Sequence, residues 1–376
     1  MSGLAETLSR LSGLRDGVQH PAFRDHGRLE TLSFGPNPGA LDAKCFVPAN
    51  LKPNAALVVA LHGCTQTASA YDRGAGWSRL AERAGFAVLL PEQRRENNQN
   101  LCFNWFSSHN TGRGLGEAAS IHAMIQTMIA QHGLDPARVF VTGLSAGGAM
   151  ANVMMAAYPE TFAAGTIIAG LPFGIAHSIP EAFQAMRSGR PLARSALGAF
   201  VRDANPGNDK WPAVSVWHGT ADRTVDPTNG EAVVTQWLDV RGLPNEPTRV
   251  ETVDGQTRSV WCDTDGRVIV EAFSIAGMGH GTPLNPAMNA GEVAGAFMLD
   301  AGISSTLHSA RSWGLVADDG AASVQSRAES PSSAARPTGA AETQGTASSP
   351  APHPRRGSIN VGQVINNALR SAGLLR

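Results

Sequence analysis

The sequence predicts an α/β fold in which helices cover both faces of a mostly parallel central sheet. Two observations carry this. The first is a series of short apolar runs, at residues 56–61, 86–90 and 139–142, each of strand length. The earliest suits a strand buried on both faces. Helical patterns separate the runs, at 77–84 and at 117–132, where Ile121, Met124, Ile125 and Met128 share one face. The second observation is Gly143-Leu144-Ser145-Ala146-Gly147, placed between the third run and a small-residue helix that continues towards Tyr158. A sharp strand-to-helix turn of this composition lifts a serine hydroxyl above the sheet, and its glycines leave room beside the serine. The helix that follows aims its first N–H groups at the charge that develops in acyl transfer.

In chain order, residues 1–28 carry Leu4, Leu8, Leu11 and Leu14 at helical spacing, an amphipathic segment. Strands are expected at 29–34 and 43–47, separated by Gly35-Pro36-Asn37-Pro38-Gly39. The run at 56–61 ends in His62-Gly63-Cys64-Thr65-Gln66. There Gly63 lets the backbone turn, so that the N–H of Cys64 joins that of Ala146 in holding a tetrahedral oxyanion, while His62 reads as a structural hydrogen-bonder. The polar, irregular stretch 92–116 contains Cys102-Phe103-Asn104-Trp105-Phe106, a candidate substrate wall in which Trp105 and Phe106 would face the ligand. After a strand at 163–170, residues 171–204 form a long insertion bearing Phe173, Phe183 and Phe200, as expected of a cap near a site.

A strand at 212–217 runs into His218-Gly219-Thr220-Ala221-Asp222, with Asp226 four residues on. A carboxylate here would orient a catalytic base. Asp222 lies nearer the strand end and is preferred, whereas Asp226, preceding Pro227, suits the cap of a helix starting near Asn229. Strands at 248–253 and 267–275 flank the turn Asp263-Thr264-Asp265-Gly266. The last strand leads to Gly277-Met278-Gly279-His280-Gly281, where flanking glycines free a histidine to reach the serine. The order Ser145, Asp222, His280 is the one α/β-hydrolases use. Past Trp313 the chain becomes rich in Ala, Ser, Pro, Gly and Thr. The expected organisation is therefore a catalytic domain at 29–313, a disordered linker at 314–357, and an amphipathic helix at 358–376 that docks on its own domain, a partner or a polymer surface.

Composition narrows the function further. Net charge is −1 with Lys and Arg spread along the chain, which gives no footprint for nucleic acid, and no apolar run is long enough to span a bilayer. The four cysteines show neither C-x-x-C spacing nor paired histidines, and no glycine-rich nucleotide motif is present. No metal and no cofactor are therefore expected. With no basic-then-apolar leader at Met1, the expected location is cytoplasmic, with secretion or the periplasm as the alternative.

Taken together, Leu61-His62-Gly63-Cys64-Thr65-Gln66, the Cys102 to Phe106 motif, Gly143 to Gly148, His218 to Asp222 and Gly277 to His280 resemble the polyhydroxybutyrate depolymerase family of esterases. That family has feruloyl and acetyl-xylan esterase relatives. The resemblance covers most of residues 40–300. It implies an α/β-hydrolase fold, a Ser145–Asp222–His280 triad, oxyanion donors at Cys64 and Ala146, and a disulfide between Cys64 and Cys102. It also implies an ester or polyester substrate, with hydrolysis of feruloyl or acetyl groups and a non-catalytic granule- or partner-binding role as the alternatives. Two features depart from the family pattern. His280 is followed by Gly281-Thr282-Pro283 rather than the Ala-Trp often found there, and no separate substrate-binding domain is evident.

Overall fold

The computed structural model describes residues 28–288 and 291–317. The helical segments expected within 1–28 and 358–376, and nearly all of the linker expected at 314–357, lie outside the described residues.

Among the described residues, ten strands form one sheet. They are β1 (Glu30–Thr31), β2 (Asp42–Phe46), β3 (Leu57–Leu61), β4 (Ala87–Glu92), β5 (Val139–Leu144), β6 (Ala164–Ile168), β7 (Ala213–Gly219), β8 (Arg249–Val253), β9 (Gln256–Cys262) and β10 (Val268–Ile275). Their order across the sheet is β1-β2-β4-β3-β5-β6-β7-β10-β9-β8. From β4 to β10 neighbouring strands run parallel, and antiparallel strands complete both edges. Beyond β10 a small parallel pair, β11 (Thr282–Leu284) and β12 (Met298–Asp300), lies outside the main sheet.

The continuous apolar composition of β3 follows from its place in the middle of the sheet. Leu57, Val59 and Leu61 enter one buried cluster, whereas Val58 and Ala60 enter the other. One face is covered by α3 (Gly116–His132), α4 (Ala146–Ala157) and α7 (Thr228–Val240). The opposite face is covered by α1 (Ala68–Ala75), α2 (Trp77–Ala84) and α8 (Ser305–Ser312). Each fully buried Leu, Val or Phe contributes roughly 1.5–3 kcal/mol through removal from water, so the six-strand parallel core fixes the ends of the strands that carry the site.

Several elements differ from expectation. The strand expected at 29–34 is reduced to Glu30–Thr31, and residues 256–262 pair with both β8 and β10 as a strand the sequence did not reveal. The pattern of β9 is mixed in burial because it lies near the sheet edge, which blurs its alternation. The insertion at 171–204 contains α5 (Ile179–Ser188) and α6 (Arg194–Ala204). Of these, α6 packs on α7 while α5 overhangs the strand ends.

Candidate active site

Ser145 stands between β5 and α4 with φ 57° and ψ −117°, a backbone conformation that side chains other than glycine rarely adopt. Two sets of neighbours over-determine it. Its N–H donates to the Ile168 carbonyl (2.9 Å), tying the turn to β6. A methyl group on Gly143 would lie 2.3 Å from the Gly147 carbonyl oxygen, and one on Gly147 would lie 2.3 Å from that of Leu61. Only glycine permits this approach of the turn to itself and to the end of β3. Ala146 is the first residue of α4, where a backbone N–H has no partner within the helix.

The end of β3 is held by His62. Its ring is buried, its Nδ1 lies 2.8 Å from the Gly63 carbonyl, and its Nε2 accepts the Gln93 N–H at 3.1 Å. An Nε2 that accepts is unprotonated, so Nδ1–H is the donor to Gly63. Burial lowers the imidazole pKa to about 4, with the Gly63 carbonyl pulling the other way, and the ring is neutral. The turn is further shaped by Gln66 Oε1, which accepts the Gly63 N–H at 2.9 Å, and by the Thr65 N–H, which donates to the Asn100 carbonyl. Cys64 and Cys102 form a disulfide, joining this turn to the aromatic-bearing loop. Behind that loop, buried Glu117 accepts hydrogen bonds from Gln93 Nε2 (2.7 Å), the Asn104 N–H (2.8 Å) and Asn104 Nδ2 (2.6 Å). Burial pushes its carboxyl up to about 7, with those hydrogen bonds offsetting only part of the rise.

Asp222 and His280 meet across the ends of β7 and β10. Asp222 Oδ2 accepts from His280 Nδ1 at 2.7 Å, while its Oδ1 accepts the N–H groups of Thr224 (2.8 Å) and Val225 (3.0 Å). His218 Nε2 lies 2.9 Å from the Val225 carbonyl and 3.4 Å from Asp222 Oδ2. Burial raises the Asp222 pKa, but the hydrogen bonds from His218, His280 and Val225 outweigh it and hold the carboxyl well below the usual range. Asp226 is elsewhere engaged: its Oδ1 accepts the Thr228 N–H and hydroxyl at the start of α7, the capping role that was its alternative.

Ser145, Ala146, Cys64 and His280 all border one pocket of about 120 Å³. Trp105 and Phe106, an edge-on pair with centroids 5.6 Å apart, line it from the disulfide-tethered loop. From above, Ile179, Phe183 and Met186 of α5 close it, and among the described residues no Asp, Glu, Lys or Arg borders it. Of the residues singled out from the sequence, Cys64, Cys102, Trp105, Phe106, Ser145, Ala146, Phe183 and His280 border this pocket and Asp222 reaches it through His280, whereas Phe173 and Phe200 of the insertion do not line it. Sequence reasoning did not assign His218, although it lies inside a motif already noted. It also missed Phe297, which follows His280 by more than a dozen residues and carries no local signal.

This fold and this set of groups define a serine carboxylic ester hydrolase of the α/β-hydrolase class. The chain belongs to the esterase PHB depolymerase family, whose family model matches residues 43–259. It is 42% identical over 290 residues to poly(3-hydroxyalkanoate) depolymerase C of Paucimonas lemoignei, spanning 76% of this chain and 70% of that protein. Feruloyl esterase B of Talaromyces stipitatus is 32% identical over 68% of this chain and 72% of its own length. Among solved structures, an acetyl xylan esterase from Aspergillus awamori superimposes with a TM-score of 0.64 at 27% identity, covering 69% of this chain and 97% of that one.

Proposed function

We propose that the protein hydrolyses aliphatic polyester of the poly(3-hydroxyalkanoate) type, or its short oligomers, with Ser145, Asp222 and His280 as the catalytic triad. The observation that carries this reading is the pocket lining. It is mostly apolar and, among the described residues, carries no ionisable side chain apart from His280, which suits an uncharged ester with an aliphatic body. Similarity to a poly(3-hydroxyalkanoate) depolymerase supports the same substrate class. The edge-on Trp105–Phe106 pair favours one second reading, an aromatic acyl group of the kind feruloyl esterases remove.

In the proposed reaction His280 takes the Ser145 hydroxyl proton on Nε2 as Oγ attacks the ester carbonyl carbon. The carbonyl electron pair moves onto oxygen, where the N–H groups of Cys64 and Ala146 receive it; one such donor is typically worth about 3 kcal/mol of barrier. Collapse breaks the bond to the alcohol oxygen, which takes the proton from His280. Water then repeats the sequence on the acyl-enzyme, with His280 again as base. A disulfide beside the oxyanion turn favours an oxidising compartment over the cytoplasm, so secretion or the periplasm is the proposed setting.

The test is hydrolysis of p-nitrophenyl butyrate, 3-hydroxybutyrate oligomers, amorphous polymer and methyl ferulate by wild type and Ser145→Ala. We expect release from the oligomers or polymer and a loss of roughly 10⁴-fold in turnover on serine removal. Cleavage of ferulate alone would establish the second reading, and hydrolysis surviving in Ser145→Ala would overturn the triad.

A further inference from the structure

The wall next to His280 is built by a segment that the motifs around the triad do not include. Residues 295–298 form a tight turn in which the Met298 N–H donates to the Gly295 carbonyl (3.1 Å) and the Gly295 N–H donates to the Met298 carbonyl (2.9 Å). Phe297 occupies the third position of that turn with φ 61°. Turns with a left-handed residue there take Gly or Asn, and a bulky aromatic is an outlier. The backbone is locked in place from the triad side. Thr282 N–H donates to the Phe297 carbonyl at 2.8 Å, and a methyl group on Gly281 would come within 2.8 Å of that same oxygen. Gly281 is therefore the residue that lets the chain after His280 receive this turn. The Phe297 ring meets the His280 ring edge-on, with centroids 6.2 Å apart and planes at 82°, and borders the pocket.

A sequence that breaks local turn chemistry beside an active site gains something from the side chain it keeps. In ester cleavage by a serine–histidine pair, the histidine that protonates the departing alkoxide lies on the alcohol side of the scissile bond. The oxyanion, in the reaction proposed above, is received not by His280 but by the N–H groups of Cys64 and Ala146, which border the same pocket. The geometry points to Phe297 as the wall of the leaving-alcohol subsite, setting the bulk accepted on the carbinol carbon of the ester. For a hydroxyalkanoate chain that carbon carries the side branch of the unit released as the alcohol. The inference rests on the Ser145–His280 reading above.

The experiment compares wild type with Phe297→Gly, which suits the left-handed backbone and removes the ring, and with Phe297→Leu as a graded variant. Each is assayed on butyrate esters of ethanol, 2-propanol and 3-pentanol, and on ethyl acetate, butyrate and hexanoate. We expect Phe297→Gly to raise the kcat/KM ratio of 3-pentyl to ethyl butyrate on the order of ten-fold, with the hexanoate-to-acetate ratio held within about two-fold. Phe297→Leu should fall between, and decides the matter by itself if the glycine variant does not fold. An unchanged alcohol ratio, or an equal change in the acyl ratio, overturns the assignment. Ser145→Ala on the same esters separates the two levels. If it is inactive while the alcohol ratio is flat, only the role of Phe297 falls. If it remains active, the triad reading falls and takes this inference with it.

Discussion

Replacing Asp222 by Asn tests the proposed triad without altering its shape. Asp222 Oδ1 accepts two backbone N–H groups, from Thr224 and Val225, at 2.8 and 3.0 Å. An asparagine must keep its carbonyl oxygen there, or two backbone donors, that of Val225 buried, lose their acceptor. Its NH₂ then occupies the Oδ2 position, facing His280 Nδ1 at 2.7 Å and His218 Nε2 at 3.4 Å. Donor would oppose donor. His280 relieves the conflict by moving its proton to Nε2, so that Nδ1 accepts from the amide. That tautomer has no lone pair left for the Ser145 proton. A wrong tautomer together with the lost carboxylate charge should lower kcat by about 10⁴-fold, which is ~5.5 kcal/mol of barrier. The assay is steady-state hydrolysis of p-nitrophenyl butyrate from pH 6 to 9, with near-ultraviolet circular dichroism to show that packing is retained. A loss under ten-fold in a folded variant would refute the proposed role of Asp222 as the group that orients His280.

Two further predictions concern the scaffold. Glu117 has its folded-state pKa raised to about 7, so the native state holds a proton that the unfolded chain releases above about 4.3, and Glu117 destabilises the fold as pH rises through that window. His62 acts in the opposite sense, its lowered value adding stability between about 4 and the unfolded 6.5. The comparison is therefore between variants. Unfolding free energies of Glu117→Gln relative to wild type, from urea titrations, should rise from pH 5 to pH 8 by on the order of 3 kcal/mol, and a pH-independent difference would refute the role of Glu117 ionisation. For the disulfide, the closed loop spans a sequence separation of 38. Cys64→Ala/Cys102→Ala should lose about 3–4 kcal/mol of stability, read as a denaturant midpoint, together with a fall in kcat as the Cys64 N–H loses its tether. Unchanged stability and activity would refute a joint role for this bridge.

What the sequence determined is local and periodic. Continuous apolar runs declared β3, β4 and β5 because strands in the middle of a parallel sheet have no solvent face to mark. The turn at Ser145 was legible because its geometry excludes any side chain at Gly143 and Gly147, so the constraint is written in consecutive residues. The histidine after β10 was legible through its glycine neighbours. The sequence already preferred Asp222 over Asp226 from its place nearer the end of β7, and the tertiary structure adds the reach of His280 across the sheet end, which puts its Nδ1 on Asp222 and leaves Asp226 at the start of α7. Assembly likewise paired β9 near an edge, where partial exposure blurs the pattern, and folded α5 over the pocket. It also carried Phe297 back to His280. Long-range placement of that kind depends on how β11 and β12 dock, a contact between segments that leaves no period or motif in either one.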